Sequence, residues 1–271
     1  MTTARQLALV TGASSGIGKA VATALAGAGY EVVGTSRASA GITPVPGVTF
    51  IDLDVTSDDS VAAAVHEVIN RFGKIDVLVN NAGIGSSGAA EESSLDQDRR
   101  VFDINVFGVM RMTKAVLPHM RARKAGRIVN VSSIVGFIPQ PYTATYSASK
   151  HAIEGYTESL DHELREHGVR AVLVEPAWTN TDFDAHNLQA DKPLDAYAKQ
   201  RKIFTEYMAG AVKEGYPASV VADAVVAAAQ DSKPRLRYAA GSRVRQVSML
   251  RRYVPASAFD SQIRKLNHLP S

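Results

Sequence analysis

Short apolar runs alternate with amphipathic stretches along most of the chain. Leu7-Ala8-Leu9-Val10 is the first run, and residues 31–36, 48–52, 76–80, 127–131 and 170–175 are others rich in Val, Ile and Leu. Runs of this length and composition predict buried strands. Ile17, Ala20, Val21, Ala24, Leu25 and Ala28 recur at the three-, four-, seven- and eight-residue intervals of an amphipathic helix. Similar patterns predict helices over 57–72, 100–123, 147–166 and 218–229. Strands that alternate with helices imply a parallel sheet covered on both faces, an α/β fold. There is no internal repeat, low-complexity tract or linker, so residues 1–271 read as one domain. Residues 38–47 form a loop. The stretch 184–216 is a long irregular insertion with Tyr197, Phe204, Tyr207 and Met208 at near-helical spacing. It is either a lid over a ligand or a packed subdomain.

Composition narrows the chemistry. With 271 residues, 45% of them hydrophobic, the chain can bury a sizeable core. It has no cysteine, which excludes disulfides, thiolate zinc sites and cysteine nucleophiles. The start, Met1-Thr2-Thr3-Ala4-Arg5-Gln6, lacks the apolar stretch of a secretory leader, and no apolar segment reaches membrane-spanning length. A cytoplasmic location is expected. The net charge is only +3 but unevenly spread: from Lys233 onward nine Lys or Arg face one acid, Asp260. Val244, Val247, Leu250 and Val254 recur there at roughly helical spacing, with Arg243, Arg245, Arg251 and Arg252 between them. This basic segment, 233–271, reads first as a terminal helix packed on the domain or on another subunit. Contact with an anionic membrane surface or an acidic carrier domain is the alternative. No nucleic-acid-binding motif is present.

The first strand runs directly into Thr11-Gly12-Ala13-Ser14-Ser15-Gly16-Ile17-Gly18 and then a helix. That order gives a glycine-rich turn its meaning. Glycines let the backbone approach a pyrophosphate, and the helix amino terminus offers free N–H groups. Tyr146 and Lys150 stand four residues apart on a predicted helix, on one face and a turn apart. A phenol near pKa ~10 is sluggish at neutral pH, and a neighbouring cation lowers that value. Taken alone, such a pair is an ordinary half-exposed helix face.

Together these motifs resemble the short-chain dehydrogenase/reductase family, in its compact single-domain branch. Thr11 to Gly18 matches the family's glycine turn, and Asn80 to Gly83 its Asn-Asn-Ala-Gly motif. Asn105, Ser133, and Tyr146 with Lys150 match its catalytic asparagine, serine and Tyr-x-x-x-Lys pair. Pro176 to Thr181 matches a late Pro-Gly-x-x-x-Thr motif, except that Ala177 replaces the glycine. The resemblance spans about residues 7–182. It implies a Rossmann-type doubly wound sheet of seven strands, the last near 236–239, and a homodimer or homotetramer paired through helices 100–123 and 147–166. In such a sheet ligands bind beyond the carboxyl ends of the strands, which places the glycine turn, Asn81, Ser133 and Pro176 on one edge.

The same resemblance implies a nicotinamide cofactor held by Gly12, Ser14, Ser15, Gly16, Ile17, Gly18, Ser36, Arg37, Asp54, Val55, Asn81, Ala82, Gly83, Tyr146, Lys150, Pro176, Thr179 and Thr181. An NAD-selective site normally carries an acid after the second strand. Between Glu31 and Asp52 there is none, and the strand ends in Thr35-Ser36-Arg37. An arginine there can pair with a ribose 2′-phosphate, so NADP(H) is expected rather than NAD(H). By resemblance Tyr146 is the acid/base, Lys150 lowers its pKa, Ser133 holds the substrate oxygen, and Asn105 fixes a water behind Lys150. The chemistry needs no metal. Phe137, Ile138, Tyr142, Trp178 and Phe183 are candidate walls of an apolar substrate pocket. The expected activity is hydride transfer between nicotinamide and a carbonyl or alcohol. A regulator that senses NADP(H) without turnover is the alternative.

Overall fold

The computed structural model describes residues 5–181, 183 and 187–269. Residues 184–186, which open the expected insertion, and the two ends of the chain lie outside the described residues. Seven strands form the central sheet: β1 (Leu7–Val10), β2 (Glu31–Ser36), β3 (Val48–Asp52), β4 (Val77–Asn80), β5 (Gly126–Val131), β6 (Val169–Pro176) and β7 (Arg237–Ala240). Their spatial order is β7-β6-β5-β4-β1-β2-β3, every neighbouring pair parallel. The direction of winding therefore reverses between β1 and β4, which is where a doubly wound sheet opens a crevice.

Strand alternation explains the two layers. Ala8 and Val10 join Val32, Val77, Val79, Val129 and Val172 against α1 (Gly16–Gly27) and α7 (Ala218–Gln230). Leu7 and Leu9 point the other way, with Val33, Leu78 and Ile128. They pack on α2 (Asp58–Phe72), α4 (Gly108–Arg123) and α5 (Ala144–Leu164). Both faces of β1 are buried, as its unbroken apolar run predicts. Local signals set the helix ends. Ser57 caps α2 by accepting from Ser60 N at 3.2 Å, Asp58 and Asp59 occupy the first turn, and Gly73 closes the helix at φ 77°.

The helix expected over 100–123 differs. It begins earlier, as α3 (Leu95–Phe102), whose amino end is capped by Ser94 accepting from Gln97 N at 3.2 Å. It then passes through a π-helical turn at Asp103–Phe107 before continuing as α4. Hydrophobic periodicity cannot register one extra residue in a turn.

Within the insertion, residues 198–213 form a helix, α6 (Ala198–Lys213). Two-residue parallel ladders tie it down on both sides, Ser86–Ser87 to Leu188–Gln189 and Thr179–Asn180 to Tyr216–Pro217. The basic segment folds as α8 (Ser242–Tyr253) and α9 (Ala256–Leu266). Val244 and Phe259 are buried while Arg243, Arg245, Arg251 and Arg252 are exposed. Leu250, expected on the inner stripe, is instead exposed, because six residues from Val244 turn it about 120° around the helix; Val254, just past α8, is partly buried against Phe259 and its neighbours. Among the described residues no helix is long and apolar enough to cross a membrane.

Candidate active site

A cleft of about 700 Å³ runs along the carboxyl edge of the sheet. Its floor at the β1 end is the glycine turn. Gly12 sits at φ 65°, and a methyl group there would lie 3.0 Å from Ala82 Cα. A methyl on Gly18 would overlap the Gly12 carbonyl oxygen, so the first turn of α1 can close on the loop only with glycine at both places. Asn81 braces the turn: its amide donates to Thr11 O at 2.9 Å and Gly12 O at 3.1 Å. Thr11 Oγ1 accepts from Asn81 N and Ala82 N, each at 3.0 Å. Ser15 takes the N-cap position of α1 without a side-chain capping bond, and no acid stands in the first turn. The amino end of α1 thus faces the cleft uncapped, beside Ser14, Gly16 and Ile17, a donor set that fits a pyrophosphate.

Beyond β2, Ser36 and Arg37 line the same cleft, and Arg37 is exposed to it. Val55 lines it too, whereas the Asp54 carboxylate turns away. It accepts from Thr56 N at 2.9 Å and Thr56 Oγ1 at 2.7 Å, and these bonds hold it below the usual carboxylate range. Ala82, Gly83, Pro176, Thr179 and Thr181 complete the lining on the β4 and β6 side.

Ser133, just after β5, and Tyr146 and Lys150 on α5 all reach this cleft. Ser133 caps a short turn by accepting from Val135 N at 3.3 Å. Lys150 is buried; its Nζ donates to Val131 O at 3.0 Å and lies 5.7 Å from the Tyr146 ring centre. Burial pushes its ammonium down to about 8, against the pull of Glu154. Asn105 lies in the π-helical turn behind them. Its Oδ1 accepts from Ile84 N at 2.9 Å, and its Nδ2 donates to Ile84 O at 2.8 Å and Ser149 Oγ at 3.1 Å. The amide so clamps the loop after β4, at Ile84, to α5. A π turn of this kind frequently marks a functional position.

A second polar layer, which no motif announces, lies under α5. Asn80 donates to Asn130 at 2.8 Å and Asn130 to Thr157 at 2.8 Å. Further along the same sheet face are Ser132 and Glu175, with Glu154 of α5 above them, all buried. Arg237 bridges Glu154 at 2.9 Å, Glu158 at 2.7 Å and Glu175 at 3.0 Å. Burial raises both inner carboxyls, Glu175 to about 7, with Arg237 opposing the rise. The sequence signal was present: Asn80, Asn130, Ser132 and Glu175 are polar positions in otherwise apolar strands, all on the face that meets α5.

The outer wall is apolar. Trp178, Phe183, Phe204 and Met208 line it, the last two from α6, and the Phe183 ring centre lies 6.0 Å from that of Tyr146. Three aromatic-pocket candidates sit elsewhere. Phe137 and Ile138 pack with Ile134, Val135 and Phe259 of α9, behind Ser133 rather than in the cleft. Tyr142, at φ 64°, stacks on Phe204 at 5.6 Å and buttresses the wall from behind. Phe204 and Met208 joined the site only because α6 folds over the cleft. Glu92 pins it there. This buried carboxylate accepts from Leu194 N at 2.8 Å and Ala89 N at 3.0 Å and pairs with Arg201 of α6. Among the described residues no group of three His, Asp or Glu is arranged to hold a metal ion.

Comparison with known proteins agrees with this fold. A family model described as short chain dehydrogenase matches residues 6–192. The chain is 41% identical over 204 residues to 3-ketodihydrosphingosine reductase of Bacteroides thetaiotaomicron, covering 73% of this chain and 75% of that protein. It is 34% identical to the uncharacterized oxidoreductase YusZ of Bacillus subtilis, covering 96% and 98%. A short-chain dehydrogenase from Streptomyces avermitilis superposes with TM-score 0.83 at 32% identity, over 98% of this chain and 96% of that one. A Burkholderia phymatum structure in complex with NAD gives 0.78 at 29%, over 95% of each chain. A metagenomic short-chain oxidoreductase in complex with NADP gives 0.67 at 28%, over 86% and 96%.

Proposed function

The chain belongs to the short-chain dehydrogenase/reductase family of oxidoreductases, and on that premise we propose that it is an NADP(H)-dependent enzyme that interconverts a carbonyl and an alcohol on a substrate with a long apolar body. The observation that carries the reading is the convergence of Ser133, Tyr146 and Lys150 on the cleft that also holds the uncapped glycine turn. When bound, the nicotinamide cofactor supplies the hydride in reduction and accepts it in oxidation. The glycine turn from Gly12 to Gly18 takes the pyrophosphate, and Arg37 with Ser36 takes the ribose 2′-phosphate. Val55, Asn81, Ala82 and Gly83 line its path, and Pro176, Thr179 and Thr181 close the nicotinamide end.

Ser133 Oγ and the Tyr146 phenol together hold the reacting oxygen. In reduction Tyr146 gives that oxygen its proton; in oxidation it removes one. Lys150 keeps the phenol acidic by standing beside it as a cation. Asn105 serves by fixing the loop after β4 against α5. The apolar wall of Trp178, Phe183, Phe204 and Met208 sets the substrate class, in keeping with a relative named for a keto-sphingoid base. α6 acts as the lid. The same reading carries a dimer or tetramer paired through α4 and α5, where Phe107 at the head of α4 is half-exposed.

The test is oxidation of NADPH and of NADH across a panel of long-chain ketones, with Tyr146→Phe as the control. Turnover with NADPH that falls about 10²–10⁴-fold in the variant, while cofactor binding persists, is expected. Turnover confined to NADH would remove the Arg37 assignment, and binding without turnover over the whole panel would overturn the enzymatic one.

A further inference from the structure

The charge cluster under α5 is not used by the chemistry above, yet it touches the site through Lys150. Glu154 follows Lys150 by four residues and shares its helix face. The groups that face Glu154 are few. Lys150 and Glu158 come from α5, Glu175 from β6, Arg237 from β7, and Ser132 from the end of β5. Gly136 leaves them room: a methyl there would lie 2.6 Å from Ser132 Oγ and 3.1 Å from Glu154 Oε1.

We propose that Glu154 is a positioning residue for the activity put forward above: with Glu175 and Arg237 it forms a buried charge cluster behind Lys150 that holds the lysine in its ammonium form. A lysine sealed between α5 and the sheet loses its proton readily, and a neutral amine no longer acidifies the Tyr146 phenol. A buried anion one turn away opposes that loss. A lone buried carboxyl would itself be neutralised, so the anion needs a cation of its own. Arg237 is that cation, splitting its guanidinium between Glu154, Glu158 and Glu175. Two buried carboxyls share that one cation, Glu154 at 2.9 Å and Glu175 at 3.0 Å. Burial and the neighbouring Glu154 hold Glu175 up at about 7. Above that pH Glu175 adds its negative charge to the cluster, where Lys150 most needs support.

The proposal rests on the oxidoreductase reading, so its test has a readout independent of turnover. The side-chain signals of isotopically labelled lysines, with Lys150 assigned by Lys150→Arg, are titrated by NMR in the cofactor-free protein. Glu154→Gln should lower the Lys150 midpoint by about one pH unit, the scale on which one close buried charge acts. The alkaline limb of kcat/KM should follow it, whereas Glu163→Gln, which alters an exposed carboxylate of α5 outside the cluster, should move neither. An unmoved Lys150 midpoint in folded Glu154→Gln overturns the proposal. Where that variant fails to fold, the coupling is read from the other side. Lys150→Met should raise the Glu154 midpoint in the carboxyl ¹³C spectrum, and a static midpoint is equally decisive against it. A shifted Lys150 midpoint in a protein that reduces no carbonyl would remove the proposed activity and leave the charge coupling standing.

Discussion

Replacing Lys150 by methionine should abolish turnover and, at neutral pH, stabilise the protein. The lysine is buried, and its pKa falls from 10.5 to about 8 on folding. At 1.36 kcal/mol per unit, that shift means the folded state bears a cost of about 3 kcal/mol for the charged form at pH 7. Methionine has similar length and no charge, so the cost disappears with it. Against this, Val131 O loses a donor at 3.0 Å, worth about 1 kcal/mol. Glu154 loses a neighbouring cation but keeps its pair with Arg237 at 2.9 Å, so that loss adds little. The net gain is about 2 kcal/mol, or about 4 °C in Tm for a chain of this length.

The pH dependence gives the sign. Between about 8 and 10.5 the unfolded lysine still holds a proton that the folded one has released, so wild-type stability rises with pH through that window. The advantage of the methionine variant should therefore be full below pH 8 and fade toward pH 10.5. Thermal and urea unfolding of both proteins, cofactor-free and at equal protomer concentration, at pH 7, 9 and 10 measures it. A variant less stable than wild type at pH 7, or a difference that does not change with pH, would refute the account of Lys150 as a desolvated ammonium.

Two further expectations concern binding and the lid. Arg37→Ala should raise KM for NADPH by about 10–100-fold through loss of a charge-assisted pair, leaving KM for NADH nearly unchanged; equal effects on both would show that Arg37 does not read the phosphate. Glu92→Ala removes the carboxylate that Leu194 N, Ala89 N and Arg201 all use, a loss on the order of 3–5 kcal/mol for a broken buried pair. Hydrogen exchange of the α6 amides should then quicken at least about 10-fold while β1 and β4 stay protected, and unchanged α6 protection would mean the helix is anchored elsewhere.

What the sequence determined about this protein is what depends on near neighbours along the chain. Leu7 to Val10 had to be a strand buried on both faces because every residue in it is apolar, and Gly12, Gly16 and Gly18 had to form a turn that a side chain would obstruct. Tyr146 and Lys150 had to share a helix face because helical geometry sets a four-residue spacing to one turn. The glycine turn, Asn81, Ser133 and Pro176 each follow a strand-like run, which in a parallel sheet puts them at one edge.

Tertiary structure decided whatever depends on residues far apart meeting. The π-helical turn that aims Asn105 at Ile84 and Ser149 adds a single residue to a turn, too small a change for hydrophobic periodicity to register. Phe137 and Ile138 lie next to Ser133 in sequence but pack on Phe259, more than a hundred residues away, because α9 covers that side of the loop. Phe204 and Met208 reach the cleft only because Glu92 draws α6 back across it. The cluster around Arg237 gathers side chains from α5, β6 and β7. Local preference sets which element a segment forms, but burial energy summed over the whole fold sets which of those elements meet, and the second calculation has no local signature.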